Sequence, residues 1–237
     1  MLKRISIILA AMACTLSAKA QQPNVGTVSI IPRIGVSIAN LPGDNIYVAG
    51  NGASLNAKYK AGIMAGVDVD WQFMPNLSAM LGVYYVQQGC KYANSTSKYN
   101  GAESDVVHGT GYSDGITQLH YINVPLILNA YLGTGFALKA GVQIGFPVSG
   151  KMKYTMQDYT QTKEGIQYGE EKKVSYNLNS TLTKVTFTIP VGISYEYSNV
   201  ILDARYNIGL TQFQDISDFN SSKNSVFTLS AGYRFSL

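Results

Sequence analysis

The stretch from Val185 to Tyr197, which reads VTFTIPVGISYEY, decides the fold. Every odd-numbered residue in it is bulky and apolar, whereas every even-numbered residue is polar, Gly or Pro. A period of two is typical of a β-strand whose two faces meet different surroundings. A tilted strand needs about 9–11 residues to cross the hydrocarbon of a bilayer. This stretch therefore predicts a two-faced strand that is long enough to span a membrane.

Seven further stretches alternate in the same way, and the connections between strands are by turns long and short. The short ones are Met74-Pro75-Asn76, Gly133-Thr134-Gly135 and Ser198-Asn199, all of which have turn chemistry. An even number of such strands predicts an all-β fold, an eight-stranded antiparallel up-and-down transmembrane β-barrel with its termini and short turns in the periplasm. The predicted strands are 30–41, 60–73, 77–88, 118–132, 136–149, 182–197, 200–211 and 225–235.

The strand 60–73 indicates which face meets lipid. Val67, Val69 and Trp71 share one face, and Asp68 and Asp70 share the other. The interior of an eight-stranded barrel is just wide enough for side chains, so we expect the polar face inside and the bulky face in lipid. The alternative is a soluble lipocalin-like barrel with the faces reversed. Its exterior would be rich in Lys and Glu, whereas the polar face here is mostly Gly, Ser, Thr and Asn.

Charged residues on the predicted inner face form the main candidate site. Buried charges are tolerated when they are paired and hydrogen-bonded, which favours a salt-bridge network that plugs the lumen. A selective pore or proton path is the alternative, although eight strands leave little room for water. Five of the residues are basic and four acidic, and all except Asp68 and Lys184 are expected toward the periplasmic half: Arg33, Asp68, Asp70, Lys139, Lys184, Glu196, Asp203, Arg205 and Arg234.

Aromatic residues on the opposite face cluster near the predicted periplasmic ends of the strands. Membrane barrels carry aromatic girdles at this level, where the rings contact the lipid headgroups. The predicted membrane-interface aromatics are Trp71, Phe73, Phe136, Tyr195, Tyr197, Tyr233 and Phe235.

The first twenty residues have the pattern of a removable leader. Lys3 and Arg4 are followed by an apolar run and then by Ala18-Lys19-Ala20, a small-x-small cleavage site. Cys14 raises a lipoprotein alternative, but Ala11 stands where a large aliphatic residue is expected. We therefore predict a signal peptide at 1–20, a barrel domain at 21–237, and export to the outer membrane.

Composition excludes some classes of function. Charged residues make up only 14% of the chain, against roughly 25% in soluble domains, and the net charge of +4 comes without a basic cluster that would indicate nucleic acid. Cys90 alone would remain after cleavage of the leader, so no intrachain disulfide is expected, and we interpret it as an incidental loop thiol. No cofactor or metal site is predicted.

An enzyme would need a histidine with partner groups near the outer rim. Only His108 and His120 are present, and neither has a Ser or Asp at a defining spacing, so we predict no catalytic residues. The third long loop, residues 150–181, carries mixed charges interleaved with tyrosines. This pattern indicates a solvated tip, strand extensions above the membrane, or a surface that contacts a partner.

Prolines inside the strands predict irregularities. Pro125, Pro147 and Pro190 cannot donate to a ladder in a ring that has no free edge, so we expect bulges or missing rungs facing the lumen. Pro32 is expected to break the start of the first strand.

Two short motifs carry a family resemblance. The stretch Tyr121-Ile122-Asn123-Val124-Pro125-Leu126-Ile127-Leu128 resembles the tyrosine-x-x-isoleucine-proline-leucine strand of PorT-like outer-membrane β-barrel proteins, with Val124 where the family often has Ile. The final strand, Leu229–Phe235, resembles their terminal strand, although the chain continues through Ser236-Leu237. The family's namesake is associated with a protein secretion system, but membership alone implies an outer-membrane barrel and little else. The terminal strand also resembles the signal by which the barrel assembly machinery recognises its clients, which implies that Phe235, together with Tyr233, matters for insertion.

These observations together predict a monomer surrounded by outer-membrane lipid, with a structural or interaction role in the cell envelope. The long loops would contact extracellular or envelope protein partners. The alternatives are a component of a secretion or envelope-assembly complex, then a lipid-modifying enzyme or peptidase, then a narrow pore.

Overall fold

A computed structural model describes residues 24–40, 46–47, 54–100, 106–132, 135–212 and 223–237. Within these residues, eight long strands pair in antiparallel fashion with their neighbours in the chain, and the last pairs with the first, which closes a ring. We number the barrel strands β1 Val28–Asn40, β2 Lys60–Met74, β3 Leu77–Tyr92, β4 Val107–Tyr131, β5 Phe136–Thr162, β6 Thr186–Tyr197, β7 Val200–Gly209 and β8 Ser225–Tyr233.

The two faces of the barrel wall are oriented as the alternation predicts. Trp71 and Leu138 are 52% and 49% exposed on the outside, whereas Asp68 and Lys139 are 0% and 6% exposed on the inside. This arrangement confirms the predicted eight-stranded barrel with bulky residues outward, and it excludes the soluble carrier alternative. No helix in the described part of the chain is long and apolar enough to span a membrane.

The two longest strands continue well beyond the wall. β4 begins at Val107 rather than at 118, and β5 runs to Thr162 rather than 149. A further strand, Gly165–Asn177, folds back onto β5, and Ser95–Asn100 pairs with the outer part of β4. Most of the expected second and third loops is therefore sheet. We call this four-stranded extension, formed by 95–100, 107–117, 150–162 and 165–177, the projecting sheet.

The prolines are accommodated by gaps and a bulge. The β3–β4 ladder skips the rungs around Pro125, and the β5–β6 ladder skips those around Pro190. A register shift between β4 and β5 lies beside Pro147. Pro125 and Pro190 are buried toward the lumen, so the lost rungs are not exposed to lipid.

Pro32 lies within β1 instead of breaking its start. It pairs with Val67 of β2, but the β1–β8 ladder is interrupted at this point and resumes in the same register at Ser29 and Ile30. Proline has no N–H to donate toward β8. On the other side of β8, the backbone N–H of Arg234 donates to the carbonyl of Asn199 at 2.8 Å, so the pairing with β7 continues past the gap.

Candidate functional site

A central charge layer crosses the lumen between opposite walls. Arg33 Nε of β1 lies 2.6 Å from Asp68 Oδ2 of β2. Lys139 Nζ of β5 and Arg205 Nε of β7 lie 2.5 and 2.6 Å from the carboxylate oxygens of Asp203. Two longer ion pairs, Arg33 to Asp203 at 3.7 Å and Arg205 to Asp68 at 3.9 Å, join these groups into one network. All five side chains are buried, which keeps their attraction strong because solvent screens it little.

Tyr84 completes this layer, although it was not among the predicted site residues. Its hydroxyl donates to Asp68 Oδ2 at 2.5 Å, and the Arg205 guanidinium lies 5.5 Å from the centre of its ring. Gly66 and Gly82 leave the space that the ring fills, since a Cβ at either position would overlap it. Its position two residues after the lumen-facing Gly82, and so on the same face of β3, is the sequence signal that could have identified it.

A second, periplasmic charge layer is centred on Arg234. Its guanidinium contacts Glu196 through two bonds, of 2.8 and 3.0 Å, and Asp70 through one of 2.8 Å. Asp70 also accepts bonds from Ser78 at 2.7 Å and Asn129 at 3.1 Å. The bidentate geometry is the strong form of an arginine–carboxylate pair.

Lys184 does not belong to the lumen, which corrects the sequence prediction. It is exposed and precedes β6, which begins at Thr186 rather than at 182. The other eight predicted lumen charges are all buried, four basic and four acidic, so that their formal charges cancel. Lys60, at the outer end of β2, was not predicted as a lumen residue but is also buried. Its Nζ lies 3.4 Å from the backbone carbonyl oxygen of Gln88 in β3.

Neutral polar side chains fill the outer half of the lumen. Gln143 Nε2 donates to Thr188 Oγ1 at 2.9 Å, and Asn224 donates to Gln88 Oε1. Two small cavities lie among these amides and hydroxyls, each about 20 Å³. That volume is room for one or two water molecules.

An apolar cluster lies at the outer end of the lumen, on the side of β3, β4 and β5. Its buried members are Cys90, Tyr92, Tyr112, Leu119, Tyr121 and Met152, with Leu178 and Leu182 packed against them. Cys90 is 0% exposed within β3, so the prediction of a loop thiol is wrong and the sulfur is not accessible to another chain. The turn that carries Leu178 and Leu182 is tied down by the Gly150 N–H, which donates to Asn179 Oδ1 at 2.8 Å.

The projecting sheet carries a row of tyrosines on the face that continues from the lumen. The Tyr112 and Tyr154 rings lie 6.1 Å apart, and those of Tyr154 and Tyr176 6.0 Å. Burial and a hydrogen bond with Tyr176 raise the pKa of the Tyr154 hydroxyl to about 12. The Tyr154 hydroxyl is therefore neutral at physiological pH.

The two histidines lie on different parts of the molecule. His108 Nδ1 is 3.0 Å from Thr160 Oγ1 on the projecting sheet. His120 Nδ1 is 2.6 Å from the Tyr85 hydroxyl on the outer wall. Among the described residues, no group of three or more His, Cys, Asp or Glu side chains has the geometry to hold a metal ion.

Comparison with known families decides the class of protein. Residues 19–215 match the family described as outer membrane protein beta-barrel domain. The chain belongs to this family. Membership implies that this barrel resides in the cell outer membrane, in agreement with its lipid-facing wall. The predicted leader at 1–20 lies outside the described residues.

Solved outer-membrane barrels are similar to this family member in fold. The attachment invasion locus protein Ail of Yersinia pestis is 15% identical, with 90% of this chain and 100% of that chain covered at a TM-score of 0.42. Neisserial surface protein A is 13% identical, covering 87% and 95% at 0.38. OprG from Pseudomonas aeruginosa is 14% identical, covering 90% and 98% at 0.36. No curated protein matches the sequence.

The predicted interface aromatics of this outer-membrane barrel all lie on its outer face, near the short turns. Several form ring pairs: Phe136 and Tyr195 have centroids 4.7 Å apart, and Tyr233 and Phe235 4.8 Å. Trp71 and Phe73 follow at 5.7 Å. Tyr197 is exposed beside the Ser198-Asn199 turn. Rings at this level suit the boundary between hydrocarbon and headgroups.

Proposed function

We propose that this protein is a plugged outer-membrane barrel that holds the projecting sheet outside the cell as an interaction surface. The observation that carries the proposal is the continuity of β4 and β5. Each runs unbroken from the charge layers of the lumen into the projecting sheet. A surface built in this way is held at a fixed height and orientation, which lowers the entropic cost of binding a partner.

The plug is supported by the width of the barrel and by its contents. An eight-stranded barrel has space only for side chains. Two charge layers and an apolar cluster fill it, and the two small cavities in the polar region have room for one or two waters each. We expect no stable conductance when the purified protein is inserted into planar bilayers. Discrete channel openings would favour the narrow pore instead.

The free edge of the projecting sheet supports a protein partner. The strand Gly165–Asn177 pairs with β5 along one side, and within the described residues its other side has no strand partner. Its residues are almost all exposed, including Tyr168 at 65%. An unpaired edge offers backbone N–H and C=O groups to an extended segment of another protein, and tyrosines are enriched at interfaces.

A second candidate is a component of a PorT-like secretion or envelope-assembly complex. It is supported by the resemblance of Tyr121–Leu128 and of the terminal strand to that family. Both motifs lie in the barrel wall, where Ile122, Leu126 and Leu128 face lipid. Under this alternative, partners would contact the wall or the periplasmic turns, and the projecting sheet would be dispensable.

Crosslinking in intact cells separates the two candidates. A photoreactive residue replaces Tyr168 on the projecting sheet or, as a matched control, Asn76 in a periplasmic turn. Crosslinks to extracellular proteins from position 168 alone support the interaction surface. Crosslinks to envelope proteins from position 76 alone support the complex and refute the sheet as the working surface.

The enzyme alternative has its own test. Replacing His108 and His120 by Ala removes the general-base candidates that the sequence offers. If the double variant folds normally yet loses a cellular activity that the wild type supports, a catalytic role follows. We expect no such loss.

A further inference from the structure

A row of lysines lies on the outward face of the wall, just above the apolar band. Lys58 pairs directly with Lys91 of β3, which pairs with Ile116 of β4, which pairs with Lys153 of β5. Residues directly opposite in a ladder share a face, so these side chains point the same way. Lys151 lies two residues below Lys153 on that face. We call Lys58, Lys91, Lys151 and Lys153 the lysine patch.

The rows below the patch place it at the level of the lipid headgroups. Tyr85, Ile122 and Phe146 form an apolar and aromatic row in register. Gln87 and Ser149 flank His120 in the next, mixed row, and His120 stacks on Tyr85 at 5.9 Å. Lysine extends its apolar stem along the wall and places its ammonium group at the polar boundary. The patch therefore lies where hydrocarbon gives way to headgroups on the extracellular side.

No carboxylate in the described part of the chain forms an ion pair with the four lysines of the patch. Asp114, at the bulge beside Ile116, is exposed and forms no ion pair with them. Like charges directly opposite in a ladder, such as Lys58 and Lys91, destabilise it unless a counter-charge is supplied.

We propose that the lysine patch binds the phosphate groups of a phosphorylated glycolipid in the outer leaflet. Strands are about 4.8 Å apart, so Lys91 and Lys153, two strands apart, are separated by about 10 Å at the backbone. Their side chains can converge on one phosphate group or hold two neighbouring ones. The acyl chains of the lipid would lie against the exposed apolar side chains below, such as Val148. Basic residues at a membrane surface attract anionic headgroups in this manner.

This binding site is independent of the projecting sheet's proposed role. The interaction surface uses the free edge and the tyrosine row, whereas the lysine patch uses the outward wall at the base of the sheet. Failure of one proposal leaves the other untouched.

The test measures binding of fluorescent diphosphorylated lipid A to the full-length protein, refolded in detergent with chelator present, by anisotropy. The K91Q/K151Q/K153Q variant removes three patch charges. K98Q/K163Q/K172Q is the matched control, because it removes three lysines outside the patch: Lys98 and Lys172 on the projecting sheet and Lys163 in the turn after β5. Each lysine near an anionic group is worth about 5-fold in affinity, so we expect about a 100-fold loss in the patch variant and little change in the control.

Two further arms identify the ligand. In the first arm, dephosphorylated lipid A binds to the wild type, and its affinity should be as low as that of diphosphorylated lipid A for the patch variant. In the second arm, millimolar inorganic phosphate should not displace the glycolipid from the wild type. Raising the salt concentration should weaken wild-type binding much more than binding by the patch variant, which keeps only Lys58 of the four lysines. Folding of every variant is checked by its migration on unheated gels. Unchanged binding by the folded patch variant, equal binding of dephosphorylated lipid, or displacement by free phosphate would each overturn the proposal.

Discussion

Arg234 offers the sharpest test of the periplasmic charge layer. Replacing it by Met removes both bonds to Glu196 and the bond to Asp70, and leaves two buried carboxylates without their cation. Breaking a buried pair by removing one partner typically costs about 3–5 kcal/mol. We expect a loss of this size in the free energy of unfolding of the R234M variant.

The structure further predicts which second substitution restores stability. Among the described residues, Asp70 retains Ser78, Asn129 and Tyr131 as donors, whereas the Glu196 carboxylate accepts hydrogen bonds from Arg234 alone. Neutralising Glu196 should therefore help more than neutralising Asp70. We expect R234M/E196Q to recover to within about 1–2 kcal/mol of the wild type, and R234M/D70N to recover less.

Urea titration of the barrel folded into lipid vesicles measures these differences. Trp71 is the single tryptophan of the chain and faces lipid near this layer, so its fluorescence reports unfolding. An R234M variant as stable as the wild type would refute the reasoning, as would equal recovery by the two double variants.

Three further predictions test the faces of the wall. Val142→Arg places a charge in lipid and should lower the free energy of unfolding by about 2–4 kcal/mol in urea titrations. Gly141→Arg should prevent closure of the barrel, because even a Cβ at this position overlaps the β4 backbone. Normal folding of either variant would contradict the assignment of the outward and inward faces. Cys90 should react with maleimide only after unfolding, and labelling of the folded barrel would contradict its burial. A membrane-impermeant amine reagent should modify Lys184 on intact cells and leave Lys139 unmodified, as peptide mass spectrometry can show, and the reverse pattern would restore Lys184 to the lumen.

The barrel wall could be predicted because two different environments act on it at every residue. Lipid on one side and a narrow lumen on the other impose the period of two that runs from Phe136 to Val148. Beyond the membrane no lipid contacts the outward face of β4 and β5, so bulky apolar residues no longer alternate with polar ones there. The sequence therefore leaves strand extensions as only one of three interpretations of residues 150–181. Lys184 was misplaced for the same reason, since parity was extended past the end of the wall.

The candidate site could be predicted only in its composition. Parity identifies Arg33, Asp68 and Asp203 as inward residues, but which cation meets which carboxylate depends on the register of all eight strands. Tyr84 was missed because the prediction considered only charged residues on the inner face, whereas Tyr84 is neutral. The lysine patch was missed because its members are far apart in the chain and meet only through ladder pairing.

The interrupted ladder at Pro32 bears on how the ring is completed. Contacts across the β1–β8 junction join the two ends of the chain, as Ser29 and Ser236 do across 207 positions, and such long-range pairing is slow to form. The gap separates the two rungs at Ser29 and Ile30 from the eight above it. We expect these two rungs, one of which holds Phe235, to open before the rest of the β1–β8 ladder during unfolding and to form after it during folding.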